Sequence, residues 1–268
     1  MTAPERPDAK TDLRLVVIGD STAFTDARGP HLPSEAGLYP NVVRAALERA
    51  LDRPVAVNVL ARAGTHTRDA YRMVLKDRHA QFEVLMGADA VVVGVGSFDH
   101  APAGVPATVE SLVPLLRSRR LRRTARRALH AVHPWGVRLT RGRFARAPLG
   151  EWRRTYDGLL FQVRALTQGA AGVVMGPTSH RSAYYGDLHP LHAAREAEQR
   201  AIAERHGFPF VASWPLVEPF AARLNPDGIH WPAEAHAAVG EALAAPLVAQ
   251  LTGATPKPSI PGLGERAG

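Results

Sequence analysis

Five short runs of apolar, mostly β-branched residues recur along the chain, and stretches with helical spacing separate them. The runs lie at residues 13–18, 55–60, 90–95, 172–175 and 208–211. They lack the alternation of a half-exposed strand, so each predicts a strand that is buried on both faces. Strands that alternate with helices in this way predict an α/β fold, a three-layer α/β/α sandwich around a five-stranded parallel sheet.

The stretches between these runs carry apolar residues at helical spacing. The first predicted helix begins near Pro40, where the missing N–H of proline costs nothing, and Val43 and Leu47 lie on one of its faces. Helices are predicted at residues 39–51, 68–75, 108–116, 149–166, 191–206 and 232–251.

The composition excludes several classes of protein. The chain has no cysteine, so it holds no disulfide, thiolate zinc site, iron–sulfur cluster or cysteine nucleophile. No apolar run approaches the roughly 20 residues needed to cross a bilayer. Residues 1–12 lack the basic-then-apolar pattern of a secretory signal, so a cytoplasmic protein is expected. One α/β domain is predicted at residues 13–251, between disordered tails at residues 1–12 and 252–268.

Most of the positive charge lies in one segment. Lys and Arg number 33 against 25 Asp and Glu, a formal net charge of +8. Residues 111–150 contain eleven arginines and no acidic residue, so the rest of the chain has a net charge of −3. A basic helical insertion is predicted at residues 117–148. It either forms a solvated surface or binds phosphate and carboxylate groups through forked guanidinium contacts.

Nucleic acid is not the expected partner of these arginines. No helix-turn-helix, zinc or RNA-recognition motif accompanies them, and few aromatic residues stand among them. A small polyanionic substrate and an anionic lipid surface fit the segment equally well, so contact with a membrane surface stays open. The candidates for substrate binding in this segment are Arg119, Arg120, Arg122 and Arg123.

Two distant loops carry a serine, an aspartate and a histidine in a pattern that suits nucleophilic catalysis. Ser21 directly follows the first predicted strand, at the edge where open α/β sheets bind ligands. Asp227 and His230 stand three residues apart before the last helix, so the carboxylate can hold one ring nitrogen while the other faces Ser21. Each motif alone is typical of a helix cap or a turn, but together they predict a catalytic triad.

These residues resemble the conserved blocks of the SGNH, or GDSL, hydrolases, over residues 13–251. The first block matches Gly19-Asp20-Ser21, and the last block matches Asp227 and His230. The resemblance implies a flavodoxin-like sheet, an acyl-serine intermediate on Ser21, and an oxyanion hole. The backbone N–H groups of Ser21 and Gly64 would be its donors.

The third block departs from that family's pattern. The family usually has Gly-x-Asn-Asp after the third strand, whereas Phe98 stands here at the position of the amide donor. Loss of one donor typically costs about 10²–10³ in turnover, unless Ser97, Thr65 or Arg68 replaces it or two backbone donors suffice. Phe98 would then line an apolar acyl pocket. The remaining candidates for substrate contact are Asp20, Asp99, Arg68 and Trp231.

Within the family, the chain resembles a branch of actinobacterial acyltransferases of methylglucose lipopolysaccharide synthesis. The likeness lies in residues 225–231, in Glu234-Ala235-His236, in the apolar residue before Asp99, and in residues 118–127. It implies octanoyl transfer from acyl-coenzyme A, as co-substrate, to a glucosylglycerate-type sugar. An esterase that uses water and a non-catalytic carbohydrate- or lipid-binding module are the alternatives.

Metals and bound cofactors are not expected. His189 and His192 lie close in sequence, but apart from Asp187 no third ligand has convincing spacing.

Overall fold

A five-stranded parallel sheet lies at the centre of the computed structural model, which describes residues 12–106, 109 and 112–255. Its strands are β1 (Leu13–Gly19), β2 (Val55–Ala61), β3 (Ala90–Val93), β4 (Ala171–Met175) and β5 (Phe210–Val211). They lie side by side in the order β2-β1-β3-β4-β5, which is the order of flavodoxin-like folds. The predicted α/β fold and its five parallel strands are therefore confirmed.

Helices cover both faces of the sheet. The longer ones among the described residues are α1 (Tyr39–Leu51), α2 (Thr67–Lys76), α3 (Arg119–Thr140), α4 (Leu149–Thr167), α5 (His192–Arg205) and α6 (Ala233–Leu251). Short helical turns lie at Ser21–Ala23, His79–Leu85, Ser97–His100, Val113–Leu115, Ala183–Tyr185, Trp214–Val217 and Glu218–Arg223. None of these described helices is long and apolar enough to cross a membrane.

Parts of three predicted segments lie outside the described residues. They are residues 1–11 and 256–268 of the predicted tails, and residues 108, 110 and 111 of the predicted helix at 108–116. In the described part of that helix, a 3₁₀ turn forms at Val113–Leu115.

The side chains of β1 show why the apolar runs are continuous. Leu15 and Val17 point into the core that α1 and α6 complete, whereas Val16 and Ile18 point into the core that α2, α4 and α5 complete. Successive side chains of a strand face opposite sides, so a central strand between two helical layers is apolar at every position. The same packing places the loops after the strands at one edge of the sheet.

The buried residues of the helix α3, called the arginine helix below, lie in its second half. They are His133, Gly136 and Val137. A Cβ atom at Gly136 would lie 2.0 Å from the carbonyl oxygen of Gly104, so this contact requires glycine. The ring of His133 stacks on that of Tyr184 with centroids 4.1 Å apart. By contrast, no residue between 119 and 129 is buried.

Candidate active site

Two consecutive hydrogen bonds join the side chains of Ser21, His230 and Asp227. The Oγ atom of Ser21 lies 2.9 Å from Nε2 of His230. On the other side of the ring, Nδ1 lies 2.7 Å from Oδ2 of Asp227. Because a carboxylate only accepts hydrogen bonds, Nδ1 carries the ring proton and Nε2 presents its lone pair to the serine hydroxyl. This arrangement suits transfer of the serine proton to His230.

The nucleophile candidate sits on a turn that its neighbours hold in place. Ser21 begins the 3₁₀ turn after β1, and Asp20 caps that turn. Oδ1 of Asp20 accepts hydrogen bonds from the N–H and the hydroxyl of Thr22, at 2.9 and 2.8 Å. Burial raises the pKa of Asp20, although these hydrogen bonds oppose the shift. Asp20 borders the cavity described below, but the bonds of its carboxylate serve the turn.

The loop at residues 225–230 is fixed by a close contact with a second loop. Gly228 has φ +71°, and a Cβ atom there would lie 2.4 Å from the carbonyl carbon and oxygen of Arg181. The N–H of Arg181 donates to the carbonyl oxygen of Gly228 at 2.6 Å. Asp227 is oriented within the loop, because its Oδ1 accepts from the N–H of Ile229 at 2.7 Å. A glycine at position 228 therefore sets the position of the histidine.

The serine opens onto a cavity of about 450 Å³, a size typical of sites for small molecules. Its walls come from the turn after β1, the short β-pair Thr25–Asp26 and Gly29–Pro30, the loops after β2, β3 and β4, and the loop at residues 225–230. Its apolar lining comes from Phe24, Pro30, Phe98, Ala101, Tyr185 and Ile229. The cavity thus combines a polar centre at Ser21 with apolar walls.

Gly64 and Phe98 stand side by side on this wall. Gly64 has φ +67°, and an ideal Cβ atom there would lie 3.9 Å from Cε1 of Phe98. The ring centroids of Phe98 and His66 lie 4.6 Å apart, and Cζ of Arg146 lies 4.7 Å from the centroid of the Phe98 ring. Phe98 therefore occupies the wall next to a predicted oxyanion donor and brings no donor of its own.

Other polar groups near this position differ in their suitability as donors. Ser97 lines the cavity, and its Oγ atom accepts from the N–H of Thr178 at 3.2 Å, which leaves the hydroxyl proton of Ser97 for another partner. The hydroxyl of Thr65 is instead committed to the carbonyl oxygen of Arg62 at 2.8 Å. Of these two hydroxyls, that of Ser97 is therefore the better candidate for an oxyanion donor, beside the predicted N–H donors of Ser21 and Gly64.

Asp99 lines a second, more polar pocket rather than this cavity, and its predicted contact with substrate stays a prediction. Its Oδ1 lies 2.9 Å from Nδ1 of His66, and its Oδ2 accepts from the N–H and hydroxyl of Thr67 at 2.7 and 2.6 Å. These groups form the start of α2, where a carboxylate offsets the helix dipole and the free N–H groups. Asp99 thus ties the loop after β3 to the loop that carries Gly64.

Two more predicted contact residues lie away from the cavity. Trp231 is completely buried, and its ring packs 6.0 Å from that of Tyr39 and 5.1 Å from that of His236. Its place is in the hydrophobic core, because its neighbours there are the apolar side chains of α1 and α6. Arg68 lies 3.5 Å from Glu151 and lines a separate, more polar pocket of about 290 Å³.

The four arginines predicted to bind phosphate lie near the beginning of the arginine helix, and none lines the cavity. Arg123 precedes His133 by ten residues, which is about 15 Å along a helix axis. Only the second half of the helix approaches the cavity wall, through Tyr184 and its neighbour Tyr185. A contact between Arg119, Arg120, Arg122 or Arg123 and a donor's phosphates stays a prediction that needs an extended donor.

Sequence reasoning missed the wall formed by the loop after β4. Thr178, Ser179, His180 and Tyr185 line the cavity there. Their position after a predicted strand was the available signal. Burial lowers the pKa of His180 to about 3, so its ring is neutral near pH 7. The described residues contain no group of three or more His, Asp or Glu side chains placed to hold a metal ion.

The parallel sheet and the serine–histidine–aspartate line define an enzyme of serine-type acyl chemistry. Its family is equally clear, because the model of the GDSL-like lipase/acylhydrolase family matches residues 17–238. The chain therefore belongs to that family, as the sequence motifs predicted.

Two relatives are named diglucosylglycerate octanoyltransferase. The protein from Mycolicibacterium hassiacum is 29% identical over 232 residues, covering 85% of this chain and 91% of the relative. The one from Mycobacterium tuberculosis is 27% identical over 229 residues, covering 85% of this chain and 89% of that relative. The resemblance to this branch, predicted from the sequence, is confirmed.

Solved structures share the fold at low sequence identity. An acetyl-xylooligosaccharide esterase variant from Geobacillus has a TM-score of 0.56 at 18% identity, covering 89% of this chain and 96% of its own. A lipase from a goat rumen metagenome has a TM-score of 0.56 at 13% identity, covering 87% and 97%. At these identities the likeness shows the fold alone.

Replacing Gly228 with alanine tests the contact that positions the histidine. We expect Gly228→Ala to lower turnover of p-nitrophenyl octanoate by about 10² or more, because the new methyl group displaces the backbone that carries His230. Gly253→Ala is the matched control, since Gly253 also has a positive φ, +76°, but no atom lies within 4 Å of its Cβ position. Equal turnover in the two variants would contradict this role of Gly228.

Proposed function

We propose that this protein is a serine-dependent acyltransferase that moves a medium-chain acyl group, octanoyl, from acyl-coenzyme A to a sugar hydroxyl. The acceptor is a glucosylglycerate-type sugar, which would place the reaction in methylglucose lipopolysaccharide synthesis. The observation that carries the proposal is the line from Asp227 through His230 to Ser21, which opens onto a largely apolar cavity. The two relatives named octanoyltransferases support this choice of acyl group and acceptor.

In the first half-reaction, the Oγ atom of Ser21 attacks the thioester carbonyl while Nε2 of His230 takes the hydroxyl proton. The carbonyl oxygen becomes an oxyanion, which the N–H groups of Ser21 and Gly64 and the hydroxyl of Ser97 stabilise. The carbon–sulfur bond then breaks, and His230 returns the proton to the leaving thiolate. Octanoyl-Ser21 and free coenzyme A result.

In the second half-reaction, a sugar hydroxyl attacks the acyl-serine carbonyl and gives its proton to His230. The bond to Ser21 Oγ then breaks, and His230 protonates the released serine, which restores the starting state. Water could take the place of the sugar without any change in these groups. Transfer therefore wins over hydrolysis only if the acceptor is held in place and water is kept out.

A place for the acceptor adjoins the cavity. Phe98, on the cavity wall, contacts His66 and Arg146, and both of these residues also line the more polar pocket. Arg68 and Arg72 line that pocket as well. Guanidinium groups suit the carboxylate of a glycerate moiety, and the pocket's other polar groups suit sugar hydroxyls. We therefore place the acceptor in the polar pocket and the acyl chain against Phe98.

Mass spectrometry of the intact protein tests the proposed intermediate. After incubation with octanoyl-coenzyme A, we expect one octanoyl adduct on the protein and none on Ser21→Ala. Ser179→Ala is the matched control, because Ser179 also lines the cavity and should leave the adduct intact. An adduct on folded Ser21→Ala would contradict the assignment of the nucleophile.

The same adduct separates transfer from hydrolysis. A glucosylglycerate acceptor should discharge it at least about tenfold faster than buffer alone, because a bound hydroxyl replaces a bimolecular encounter. Equal rates with and without the sugar would make the protein an esterase. No adduct on the wild-type protein with any acyl thioester or ester would favour the non-catalytic module.

Substitutions in the polar pocket test the place of the acceptor. We expect Arg68→Gln with Arg72→Gln to raise the KM for the glucosylglycerate acceptor about tenfold, because a carboxylate loses its charged partners. The rate of acyl-enzyme formation should not change. Arg78→Gln is the control, since Arg78 is exposed and lines neither the cavity nor the pocket. An unchanged acceptor KM in the double variant would place the acceptor elsewhere.

Restoring the amide tests the role of Phe98. Phe98→Asn should speed hydrolysis of p-nitrophenyl acetate by about tenfold or more, because the amide adds an oxyanion donor. It should also raise the KM for the octanoyl ester, because an apolar wall is lost. Steady-state kinetics measures both effects, as the turnover of the acetyl ester and the KM for the octanoyl ester. If neither changes, Phe98 only packs against His66 and Arg146.

A further inference from the structure

We propose that the arginine helix docks this protein on an anionic phospholipid surface. Six large apolar residues in or beside that helix are between 50% and 74% exposed. They are called the docking face below: Leu115, Leu121, Val132, Trp135, Leu139 and Phe144. This surface lies outside the cavity, so the proposal does not depend on the proposed acyl transfer.

The apolar residues within the helix form one stripe. Leu121, Ala125, Ala128, Val132, Trp135 and Leu139 follow one another at steps of four and three residues, so they share one side of the helix. From Leu121 to Leu139 the stripe is about 27 Å long. The buried residues of the helix, His133, Gly136 and Val137, do not belong to the stripe. The middle of the stripe, Ala125, Ala128 and Val132, borders an apolar groove that the preceding segment helps to form. Its outer residues Leu121, Trp135 and Leu139 are exposed, and clustered exposed apolar surface marks a binding surface.

The charges beside the stripe indicate what it binds. Arg120, Arg127 and Arg138 are separated by seven and eleven residues, two and three helical turns, so they form a line along one flank of the stripe. No acidic residue lies anywhere in residues 111–150. Long guanidinium side chains can reach lipid phosphates while Leu and Trp enter the region beneath the headgroups. This combination is typical of helices that lie in the plane of an anionic membrane surface.

A second copy of this chain is the competing occupant, because steps of four and three residues also suit a coiled coil. In a symmetric pair, however, the arginine helix of one copy would face the same arginines of the other. No acidic residue within residues 111–150 is available to offset that repulsion. Charge complementarity therefore favours an anionic lipid surface over self-association.

Vesicle co-sedimentation of the full chain tests the proposal. We expect binding to vesicles of phosphatidylcholine with about 30% phosphatidylglycerol, and at least about tenfold weaker binding to phosphatidylcholine alone. Binding should weaken as the salt concentration rises from about 50 to about 300 mM, because salt screens the arginines. No binding to the anionic vesicles, or equal binding to both kinds, would overturn the proposal.

Two variants separate the apolar and the charged contributions. Trp135→Ser with Leu139→Ser, and separately Arg120→Gln with Arg127→Gln and Arg138→Gln, should each weaken binding about tenfold or more. The unfolding temperature should stay the same, since the replaced residues are exposed. Leu32→Ser with Phe82→Ser is the control, because Leu32 and Phe82 are 76% and 60% exposed elsewhere on the protein. A control that loses as much binding as the test variants would contradict the assigned face.

Tryptophan fluorescence locates the contact. Of the four tryptophans, Trp135 is exposed, Trp214 is half-buried, and Trp152 and Trp231 are buried. Anionic vesicles should shift the emission to shorter wavelength in the wild type, and Trp135→Phe should remove that shift while it keeps vesicle binding. Bound protein with no shift would place the contact elsewhere. A dimer in light scattering that the docking-face variants dissolve, together with no vesicle binding, would assign the face to a second copy.

Discussion

The hydrogen bond between Ser21 and His230 joins two loops that are 209 positions apart in the chain, and all of the proposed chemistry requires it. The parallel sheet makes the contact possible, because the carboxyl ends of its strands lie at one edge. The final alignment comes from the loop after β4. That loop supplies no member of the triad, yet the backbone of Arg181 presses against Gly228 and thereby fixes the histidine.

Most of the fold could be predicted from the sequence, because a strand that is buried on both faces appears as a continuous apolar run. All five apolar runs form strands, and α1 has the predicted bounds, Tyr39–Leu51. The largest differences between the predicted and observed strands lie at the ends of β3 and β5. β3 ends at Val93, before the glycines at positions 94 and 96, and β5 is only Phe210–Val211, which pair with Val174 and Met175 of β4. Local composition does not show how far a partner strand extends.

In the candidate site, the serine, histidine and aspartate could be predicted from the sequence, but most of the cavity wall could not. The motif spacing predicts a triad of hydroxyl, imidazole and carboxylate, and the structure brings these three side chains within hydrogen-bond distance. Residue type does not show which way a side chain points. The carboxylate of Asp99 is hydrogen-bonded to His66 and Thr67, and the side chain of Trp231 lies in the core. The wall after β4 has no periodic pattern, since each residue there meets the cavity through a loop of irregular shape.

The arginine helix begins with an electrostatic conflict. The amino end of a helix carries partial positive charge, and this one has Arg119, Arg120 and Arg122 in its first turn with no acidic residue there. Ser118 offers only a 3.5 Å cap to the N–H of Leu121. A positive charge near the amino end of a helix lowers the stability of the helix by about 0.3–1 kcal/mol. We therefore expect that turn to fray more readily than the packed second half, and nearby negative charge to stabilise it, so that its order depends on its ionic surroundings.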